Sequence, residues 1–385
     1  MECQTPPDSF SSCDRLMPNG VLRFFIWFLG ISALIGNTFV VILRIKNAGR
    51  REGKVQSCLI VNLAISDALM GVYMLIIGGA DSYFGRDYFL YADNWRKGGM
   101  CKFAGFLSIV SSEASVFLVT VISVDRFISI AFPFTKFSLE TSSVRKTSVA
   151  MWIMAAIIGL IATFLGDHIE GFYGLSDVCV GLPLKTDAVN DTSLWKYSLE
   201  KKKYIYEERK SASSEPSWAF SIFIYLVLNL VCFAAVFVCY ISIFVVVKRS
   251  RKQARRSKNL SNEIKVAAKM ALIVGTDFAC WVPIIIMGIL SQTGAMTIPE
   301  QMYAWSVVFI IPINSSINPY LYTLSNMNAN CLRKRKPIGI RTVDTIRGHS
   351  DASTAMTSHH SHAHGCESPT LAVTMTPFNG GSSRL

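Results

Sequence analysis

Seven long apolar stretches divide the chain, and each has about the length of a helix that crosses a bilayer. About 20 consecutive apolar residues span the hydrocarbon core as an α-helix. We number the stretches as spans 1 to 7; they cover about residues 21–45, 56–80, 103–130, 147–167, 217–247, 265–290 and 303–325. The pattern predicts an all-α membrane protein, a bundle of seven transmembrane helices. Because seven is odd, the two termini lie on opposite sides of the membrane.

Lysine and arginine lie in the loops that follow the odd-numbered spans. Cytoplasmic loops carry an excess of these two residues. The loop after span 6, SQTGAMTIPEQ, contains neither. The basic residues after spans 1, 3, 5 and 7 include Arg44, Lys46, Arg50, Lys136, Arg145, Lys248, Arg249, Arg333 and Lys334. We therefore expect the N-terminus outside and the C-terminus inside.

The parts outside the membrane differ in length. We expect a short extracellular segment at 1–20, a seven-span domain at 21–330 with a long extracellular loop at about 168–216, and a cytoplasmic tail at 331–385. A short amphipathic helix is expected after span 7. The tail, rich in Ser, Thr, Gly and His, is expected to be disordered. Within the long loop, EKKKYIYEERK is interpreted as a solvated hairpin or short helix rather than a lid over a ligand.

Composition narrows the class of protein. Hydrophobic residues make up 51% of the 385 residues and charged residues 17%, and the mean hydropathy is +0.37. That balance is too apolar for a soluble domain of this length. The net charge is +12, but the basic residues cluster on one side of the spans, so we expect membrane lipid and no nucleic acid as a partner. We predict a multi-pass protein of the plasma membrane.

Four residues outside the spans are candidates for covalent modification. Cys101 and Cys179 both lie on the outer, oxidising side, and we expect a disulfide between them. Asn190 begins the glycosylation signal NDT on that same side. Cys331 follows span 7 beside basic residues, a setting typical of palmitoylation. In the tail, phosphorylation is favoured over metal binding by the histidines of HHSHAH.

Polar side chains within the spans are the strongest functional signal. Ionisable groups in hydrocarbon are costly and usually face the interior of a bundle. Asn314, Asn318 and Tyr322 recur every fourth residue and so share one face of span 7. The residues that together predict an oxygen-rich pocket for a small hard cation or for water are Asp67, Ser115, Asn314, Ser315 and Asn318. A single Ser or Asn in a membrane more often only joins helices, but Asp67 carries a charge that such a role does not need.

Span 6 carries an acid, a tryptophan and a proline close together. Asp277 and Trp281 lie one turn apart on the same face, and Pro283 bends the helix. We expect Asp277 to hydrogen-bond with polar groups around Asn314 or Asn318 on span 7, and so to hold the bend in one of two states.

The cytoplasmic ends of spans 3 and 6 carry a candidate switch. Arg126 adjoins Asp125 at the end of span 3, and Glu263 lies at the start of span 6. An ion pair between Arg126 and Glu263 would join the two spans, and its rupture would release span 6.

Short motifs in six of the spans resemble those of a known family. They are GN on span 1, LAxxD on span 2, a cysteine and then DRF on span 3, Trp152 on span 4, CWVP on span 6 and NPYLY on span 7. The set resembles the rhodopsin-like (class A) G-protein-coupled receptors over about residues 21–335. YADNWRKGGMC, SSEASV, TDFACWVP and PINSSINPYLYTL are similar to the leucine-rich-repeat-containing subfamily, most of all to the relaxin receptors and their invertebrate relatives.

The resemblance implies roles for particular residues. It implies a disulfide between Cys101 and Cys179, and an allosteric sodium ion in the pocket around Asp67. The residues implied to take part in activation are Asp125, Arg126, Tyr240, Glu263, Asp277, Trp281, Pro283, Asn318, Pro319 and Tyr322.

The resemblance also implies a function. It predicts a receptor that passes the signal of a peptide or protein hormone, relaxin-like, to a heterotrimeric G protein, through the stimulatory G protein and cyclic AMP. Arrestin and receptor kinases would act on the Ser/Thr-rich tail. The subfamily carries a large ectodomain of leucine-rich repeats, which we expect to be absent here, because about 20 residues precede span 1 and they hold no LxxLxLxxN repeat.

Other functions fit the sequence less well. A truncated or ligand-independent receptor with another ligand is the first alternative. A transporter would show internal repeats, and none is evident; a channel would need a repeated pore-lining pattern. A retinal-binding pump would need a lysine on span 7, and residues 303–325 contain none. We expect no enzyme, since the acids in the spans are scattered and no HExxH motif occurs.

Overall fold

The structure, a computed structural model, describes most of the seven spans and part of the outer surface. The residues described are 15–17, 19–47, 54–132, 140–168, 177–180, 193–198, 203–208, 222–249, 258–293, 295 and 305–321. Within these ranges the side chains of 89, 93, 165–168, 193–198, 203–208, 225, 258–263, 291–292 and 307 are not described. The predictions for the tail, for the helix after span 7, for Asn190, for Cys331 and for Tyr322 fall outside the described residues.

Each predicted span is helical. The bounds are Gly20–Lys46 for span 1, Lys54–Phe84 for span 2, Gly99–Ala131 for span 3, Thr141–His168 for span 4, Ile222–Arg249 for span 5, Lys258–Gln292 for span 6 and 305–321 for the described part of span 7. Among the described residues, spans 1 to 6 are long and apolar enough to cross a membrane. The prediction of a seven-helix bundle is confirmed.

Spans 5 and 7 both begin with π-helical turns. These turns cover Ile222–Leu228 in span 5 and Ser306–Ile310 in span 7, and α-helix follows in each case. A π-turn widens the helix by one residue per turn and is frequent near functional sites. Two of the helices that line the polar interior therefore depart from regular geometry at their outer ends.

Two elements outside the membrane accompany the bundle. A short helix, Tyr88–Lys97, which we call the outer helix, stands between spans 2 and 3 and was not predicted. In the long loop, β1 (Ser193–Ser198) and β2 (Lys203–Glu208) form an antiparallel hairpin in which Trp195 lies opposite Tyr206. The hairpin interpretation of EKKKYIYEERK is confirmed. Among the described residues, β1 and β2 form a two-stranded sheet, and the other long elements are helices.

Span 3 lies at the centre of the bundle. It is buried on nearly all sides, whereas spans 4 and 5 expose most of their apolar surface. Small hydroxyl side chains let neighbouring helices approach it closely. Ser111 Oγ donates to the carbonyl of Ser66 on span 2 at 2.7 Å. The sequence SIVSSEAS thus suits span 3 to a position where it meets several other helices.

Spans 1 and 2 meet where glycine removes a side chain. A Cβ atom on Gly71 would lie 2.7 Å from the backbone nitrogen of Leu34 and 2.9 Å from the carbonyl oxygen of Gly30. Any larger residue would push the helices apart, because these neighbours are backbone atoms. This close approach sets the position of span 2 against span 1. Asp67 lies one turn before Gly71 on span 2, so its position is set as well.

Candidate functional site: a polar network between the spans

Asp67 lies at the junction of spans 2 and 7. Its side chain is fully buried. Ser315 Oγ donates to one carboxylate oxygen at 2.9 Å, and Asn318 Nδ2 donates to the other at 2.8 Å. The structure thus brings together three of the five residues predicted to form the oxygen-rich pocket.

Asp277 joins the same stretch of span 7 from span 6. It is 2% exposed, and it accepts a hydrogen bond from Asn314 Nδ2. The hydrogen bond predicted between Asp277 and this part of span 7 is therefore present, with Asn314 as the partner. Asp67 and Asp277 therefore contact adjacent turns of span 7. Asp277 is bonded to Asn314, and Asp67 is bonded to Ser315 and Asn318.

Acceptor atoms are in excess in this network. Four oxygen atoms around Asp67 and Asp277 are among the buried atoms without a hydrogen-bond partner in the described residues: Ser115 Oγ, Asp277 Oδ2, Asn314 Oδ1 and Asn318 Oδ1. Buried polar atoms normally have a partner. Amide, carboxylate and hydroxyl oxygens are the ligands that hard cations prefer. The residues present therefore fit a hard cation or ordered water, and Ser115, the fifth predicted pocket residue, contributes one of the unpartnered oxygens.

Side chains on spans 1 and 4 hold the network in place. Asn37 Nδ2 donates to the carbonyl oxygens of Ala33 and Ser315, at 2.8 and 2.9 Å, and so connects span 1 to span 7. Trp152 Nε1 on span 4 donates to Asn62 Oδ1 on span 2 at 3.0 Å. These contacts attach span 7 to span 1 and span 2 to span 4.

A third buried acid lies between spans 3 and 5. Glu113 and Asn229 are both fully buried, and Asn229 Nδ2 donates to Glu113 Oε1 at 3.3 Å. Glu113 is the acid of the SSEASV motif in span 3, and the sequence offered no partner for it, because an asparagine in the apolar run of span 5 has no distinctive spacing. This pair is separate from the Asp67 and Asp277 network in its hydrogen bonds.

An aromatic cluster lies next to the acid of span 6. Trp281 is 4% exposed, and its ring centroid lies 6.2 Å from that of Phe233, which also packs edge-on against Phe278 at 5.3 Å. Pro283 is within the continuous helix Lys258–Gln292. The acid, the aromatic cluster and the proline therefore follow one another along span 6.

At the inner end of span 3, Arg126 is paired with its neighbour. Arg126 Nε donates to Asp125 Oδ2 at 2.9 Å, and both side chains are buried. Tyr240 packs beside the apolar cluster of Ile130 and Ile243. Glu263, the other predicted partner of Arg126, lies in the helix of span 6, but its side chain is outside the described residues. The pair of Arg126 with Glu263 stays a prediction.

At the outer end, a disulfide joins span 3 to the long loop. Cys101 and Cys179 are bonded, as predicted, and both are fully buried. Next to Cys179, the carbonyl of Val178 accepts a hydrogen bond from Tyr73 Oη at 2.9 Å. The loop is thereby attached to spans 2 and 3.

Asp177 reinforces this attachment by binding the outer helix. Its carboxylate accepts hydrogen bonds from Tyr88 Oη at 2.7 Å and from Arg96 Nε at 2.6 Å, and its carbonyl accepts one from Trp95 Nε1 at 2.8 Å. We call these four residues the outer clamp. Sequence reasoning missed it, because Asp177 lies more than 80 residues along the chain from each of the other three.

Two members of the outer clamp, Tyr88 and Arg96, have raised pKa values. Burial, together with the nearby Asp177 carboxylate, raises the pKa of the Tyr88 hydroxyl well above its usual value. The Asp177 carboxylate raises the pKa of the Arg96 guanidinium. Groups with raised pKa values stabilise the fold at every pH below their ordinary pKa. The contribution of both groups is therefore complete at physiological pH.

We expect Asp177→Ala to destabilise the protein by about 1–3 kcal/mol, because it leaves the buried Tyr88 hydroxyl and the partly exposed Arg96 without their acceptor. Asp177→Asn, which retains an acceptor, should cost less. Thermal unfolding of the purified protein at pH 6 and pH 8 measures both effects. Equal unfolding temperatures for wild type and Asp177→Ala would show that the outer clamp does not stabilise the fold.

The segment before span 1 is held by an ion pair between Asp81 on span 2 and Arg23 on span 1. Asp81, fully buried near the outer end of span 2, accepts from the backbone nitrogen of Met17 and from Arg23 Nε, both at 2.8 Å. Arg23 Nη2 also donates to the carbonyl of Met17 at 2.8 Å. Leu16 and Met17 are themselves buried in the core. An acid and an arginine near the outer ends of adjacent spans were the available signal, and sequence reasoning did not use it.

The polar sites do not suit a transition metal. Among the described residues, no group of three or more His, Cys, Asp or Glu side chains could hold a metal ion. The network around Asp67 has two carboxylates and otherwise only amide and hydroxyl oxygens. Its chemistry is that of a hard-cation or water site.

Seven membrane helices, a disulfide from span 3 to the following outer loop and a buried acid network facing span 7 define a membrane receptor of the seven-helix class. Residues 36–199 and 204–322 match the family described as 7 transmembrane receptor (rhodopsin family). The chain belongs to this family, and it is a multi-pass receptor of the plasma membrane.

Individual relatives cover the same part of the chain. The chain is 38% identical to G-protein coupled receptor GRL101 of Lymnaea stagnalis over 325 residues, 84% of this chain and 26% of that protein. It is 30% identical to the human relaxin receptor 2 over 324 residues, 84% of this chain and 39% of that protein. The cat follicle-stimulating hormone receptor is 29% identical over 330 residues, 85% of this chain and 41% of the relative. The likeness to relaxin receptors and to an invertebrate receptor is confirmed, and the chain spans less than half the length of these relatives.

Proposed function

We propose that this receptor passes an extracellular peptide or protein hormone signal to a heterotrimeric G protein. The observation that carries the proposal is the buried contact of Asp277 on span 6 with Asn314 on span 7. Span 6 is thereby tied to a neighbouring span by a buried carboxylate one turn from Trp281. A contact of this kind gives the bundle two discrete arrangements, with the tie made and with it broken.

The proposed mechanism is a shift between those arrangements. A ligand need only bind the active arrangement more tightly to raise its population. Span 6 then pivots at Pro283, and Arg126 loses its inner partners, Asp125 and Glu263. The cytoplasmic crevice that opens would admit a helix of the G protein, in the manner of helix-in-groove recognition. Tyr240 and Tyr322 would turn toward the crevice and support the open state, next to Pro319.

The oxygen-rich pocket would bias the same equilibrium. Asp67, Ser115, Asn314, Ser315 and Asn318 would hold a sodium ion. When bound, such an ion supplies positive charge to a buried carboxylate and joins spans 2, 3 and 7. The unpartnered oxygens of Ser115, Asn314 and Asn318 support this assignment.

The ligand and the coupling are proposed from the relatives. Similarity to relaxin receptor 2 supports a relaxin-like protein hormone and the stimulatory G protein with cyclic AMP as second messenger. Arrestin and receptor kinases would bind the Ser/Thr-rich tail. A receptor with another ligand, or one active without a ligand, is the second candidate, because the identity to relaxin receptor 2 is 30%.

The function is tested at the inner ends of spans 3 and 6. We expect Glu263→Ala to raise basal signalling about fivefold, because loss of an ion pair worth roughly 1 kcal/mol shifts the equilibrium by that factor. Arg126→Ala should abolish signalling. Nucleotide exchange on purified heterotrimeric G proteins measures coupling of any class, and cyclic AMP in cells measures the stimulatory class. Lys265→Ala, an exposed change on the same helix, is the matched control.

Basal signalling of Glu263→Ala that equals wild type, at equal surface expression, would contradict the proposed ion pair. Exchange on no G protein by wild type or by Glu263→Ala would contradict the proposed function itself.

A further inference from the structure

Glu113 lies near the middle of span 3, in apolar surroundings. Its side chain and that of Asn229 on span 5 are both 0% exposed. Val110 and Phe117, one turn before and one turn after Glu113 on span 3, belong to an apolar cluster against which Leu228 of span 5 packs. The pair of Glu113 and Asn229 is therefore enclosed by hydrocarbon from both helices.

The basic residues of spans 3 and 5 lie far from Glu113 along the helix axes. In span 3 they are Lys102 and Arg126, roughly 16 and 20 Å away at the rise of an α-helix. In span 5 they begin at Lys248, roughly 28 Å from Asn229. The hydrogen bond that Glu113 accepts comes from Asn229, which is neutral. An acid buried in this way without a cation takes up a proton rather than keep its charge.

The hydrogen bonds of this pair are incomplete. Asn229 Nδ2 donates to Glu113 Oε1 at 3.3 Å. The other two oxygens, Glu113 Oε2 and Asn229 Oδ1, are buried without a partner among the described residues. An ionised carboxylate offers only acceptors, so a charged Glu113 could not serve Asn229 Oδ1. A carboxylic acid has one O–H donor, and a single proton therefore supplies the donor that is missing.

We propose that Glu113 is held in its protonated form and that its Oε2 hydroxyl donates to Asn229 Oδ1, so that acid and amide close a ring of two hydrogen bonds between spans 3 and 5. The donor and the acceptor of the acid match the acceptor and the donor of the amide. One proton thus removes the buried charge and satisfies both unpartnered oxygens. We call this arrangement the acid–amide ring.

The acid–amide ring lies where span 5 changes its helical form. The π-helical turns cover Ile222–Leu228, and Asn229 is the first residue of the α-helix that follows. A π-turn holds an extra residue, so its conversion to α-helix would rotate the two parts of span 5 relative to each other. Two hydrogen bonds from Asn229 to span 3 oppose that rotation. Protonated Glu113 is therefore a positioning residue for span 5.

Infrared absorption of the purified receptor tests the protonation directly. A protonated carboxyl group has a C=O stretching band that a carboxylate lacks, and an ester-free detergent leaves this region of the spectrum clear. At neutral pH we expect wild type to show this band and Glu113→Gln to have lost it. Glu140→Gln is the matched control, because it makes the same change at an exposed acid, and it should leave the band unchanged.

The same band reports whether the acid is paired with Asn229. A hydrogen bond to the carbonyl oxygen lowers the C=O stretching frequency. In Asn229→Ala, Glu113 Oε1 loses the donor that the structure shows, so we expect the Glu113 band to move to higher frequency. A band at the same frequency in wild type and Asn229→Ala would show that Glu113 is protonated without the acid–amide ring, and so would overturn the inference.

Thermal unfolding tests whether the acid–amide ring joins the two spans. Glutamine has the shape of a protonated glutamate and can both donate to and accept from Asn229, so Glu113→Gln should unfold within about 1 °C of wild type. Glu113→Ala leaves Asn229 without partners and should unfold about 2–6 °C lower. Asn229→Ala should have a similar effect, and the double alanine variant should add little, because both changes break the same ring.

Two further outcomes overturn the inference. One is a carboxylic acid band of equal intensity in wild type and Glu113→Gln, which would mean that Glu113 is ionised. The other is an unfolding temperature of Glu113→Gln as low as that of Glu113→Ala. The infrared comparison of wild type with Glu113→Gln decides the protonation even if the alanine variants do not fold. The measurements use neither hormone nor G protein, so their result is independent of the proposed signalling function.

Discussion

Replacement of Cys101 or Cys179 by serine is expected to remove most of the receptor from the cell surface. The disulfide closes a loop with a sequence separation of 78 residues. In the chain-entropy picture a crosslink of this span stabilises the folded state by about 4.5 kcal/mol. That is a large part of the stability of a typical protein. Flow cytometry on an epitope-tagged receptor, with total expression as reference, measures the loss.

The double replacement provides the decisive comparison. If the two cysteines act only through their bond, Cys101→Ser with Cys179→Ser should be no worse than either change alone. Cys232→Ser is the matched control, since Cys232 is a free cysteine within span 5. Surface losses that add in the double variant would mean that the two residues stabilise the receptor independently.

Asp277→Ala is expected to raise basal signalling about tenfold or more. The change removes the acceptor of Asn314, and with it the buried tie between spans 6 and 7. A hydrogen bond to a charged group contributes about 1.5–3 kcal/mol, and roughly 1.4 kcal/mol corresponds to a tenfold change in the ratio of the two arrangements. Basal nucleotide exchange on G protein, normalised to surface receptor, measures the effect.

Two further variants separate a switch from a structural contact. Asn314→Ala should have a similar effect to Asp277→Ala, and the double variant should add little, because both remove the same bond. Asp277→Asn, which retains an acceptor for Asn314, should have a smaller effect. If the Asp277 variants change only the folding yield, while signalling per receptor stays at the wild-type value, Asp277 serves to join helices and not to control them.

Much of the fold followed from short-range features of the sequence. The predicted spans agree with the observed helices because a helix in lipid must satisfy its own backbone, so that length and apolarity alone identify it. Span ends differed by several residues, as for span 6, which begins at Lys258 and not near 265. The outer helix was missed, since Tyr88–Lys97 has only 10 residues and is too short to stand out beside the long apolar spans.

The candidate site was only partly predictable. Asp67, Asp277 and the Asn and Ser residues of span 7 stood out, because polar groups in apolar spans are rare and usually face the interior. The contact of Asp277 with Asn314 could be anticipated from the shared face of neighbouring helices. The pairs of Glu113 with Asn229, of Asp81 with Arg23 and of Asp177 with Arg96 could not, since one polar residue does not indicate which distant residue it meets.

The sequence by itself determined the number of spans, their orientation, the class of receptor and which buried residues are polar. These properties depend on local apolarity, on the side on which basic residues lie, and on motifs within single helices. Only the tertiary structure decided which polar groups are partners and which acceptors are left without one. Partnership depends on the height and rotation of each helix, and these are set by close packing at places such as Gly71 and the serines of span 3. The two-carboxylate character of the network is therefore a property of the packed bundle.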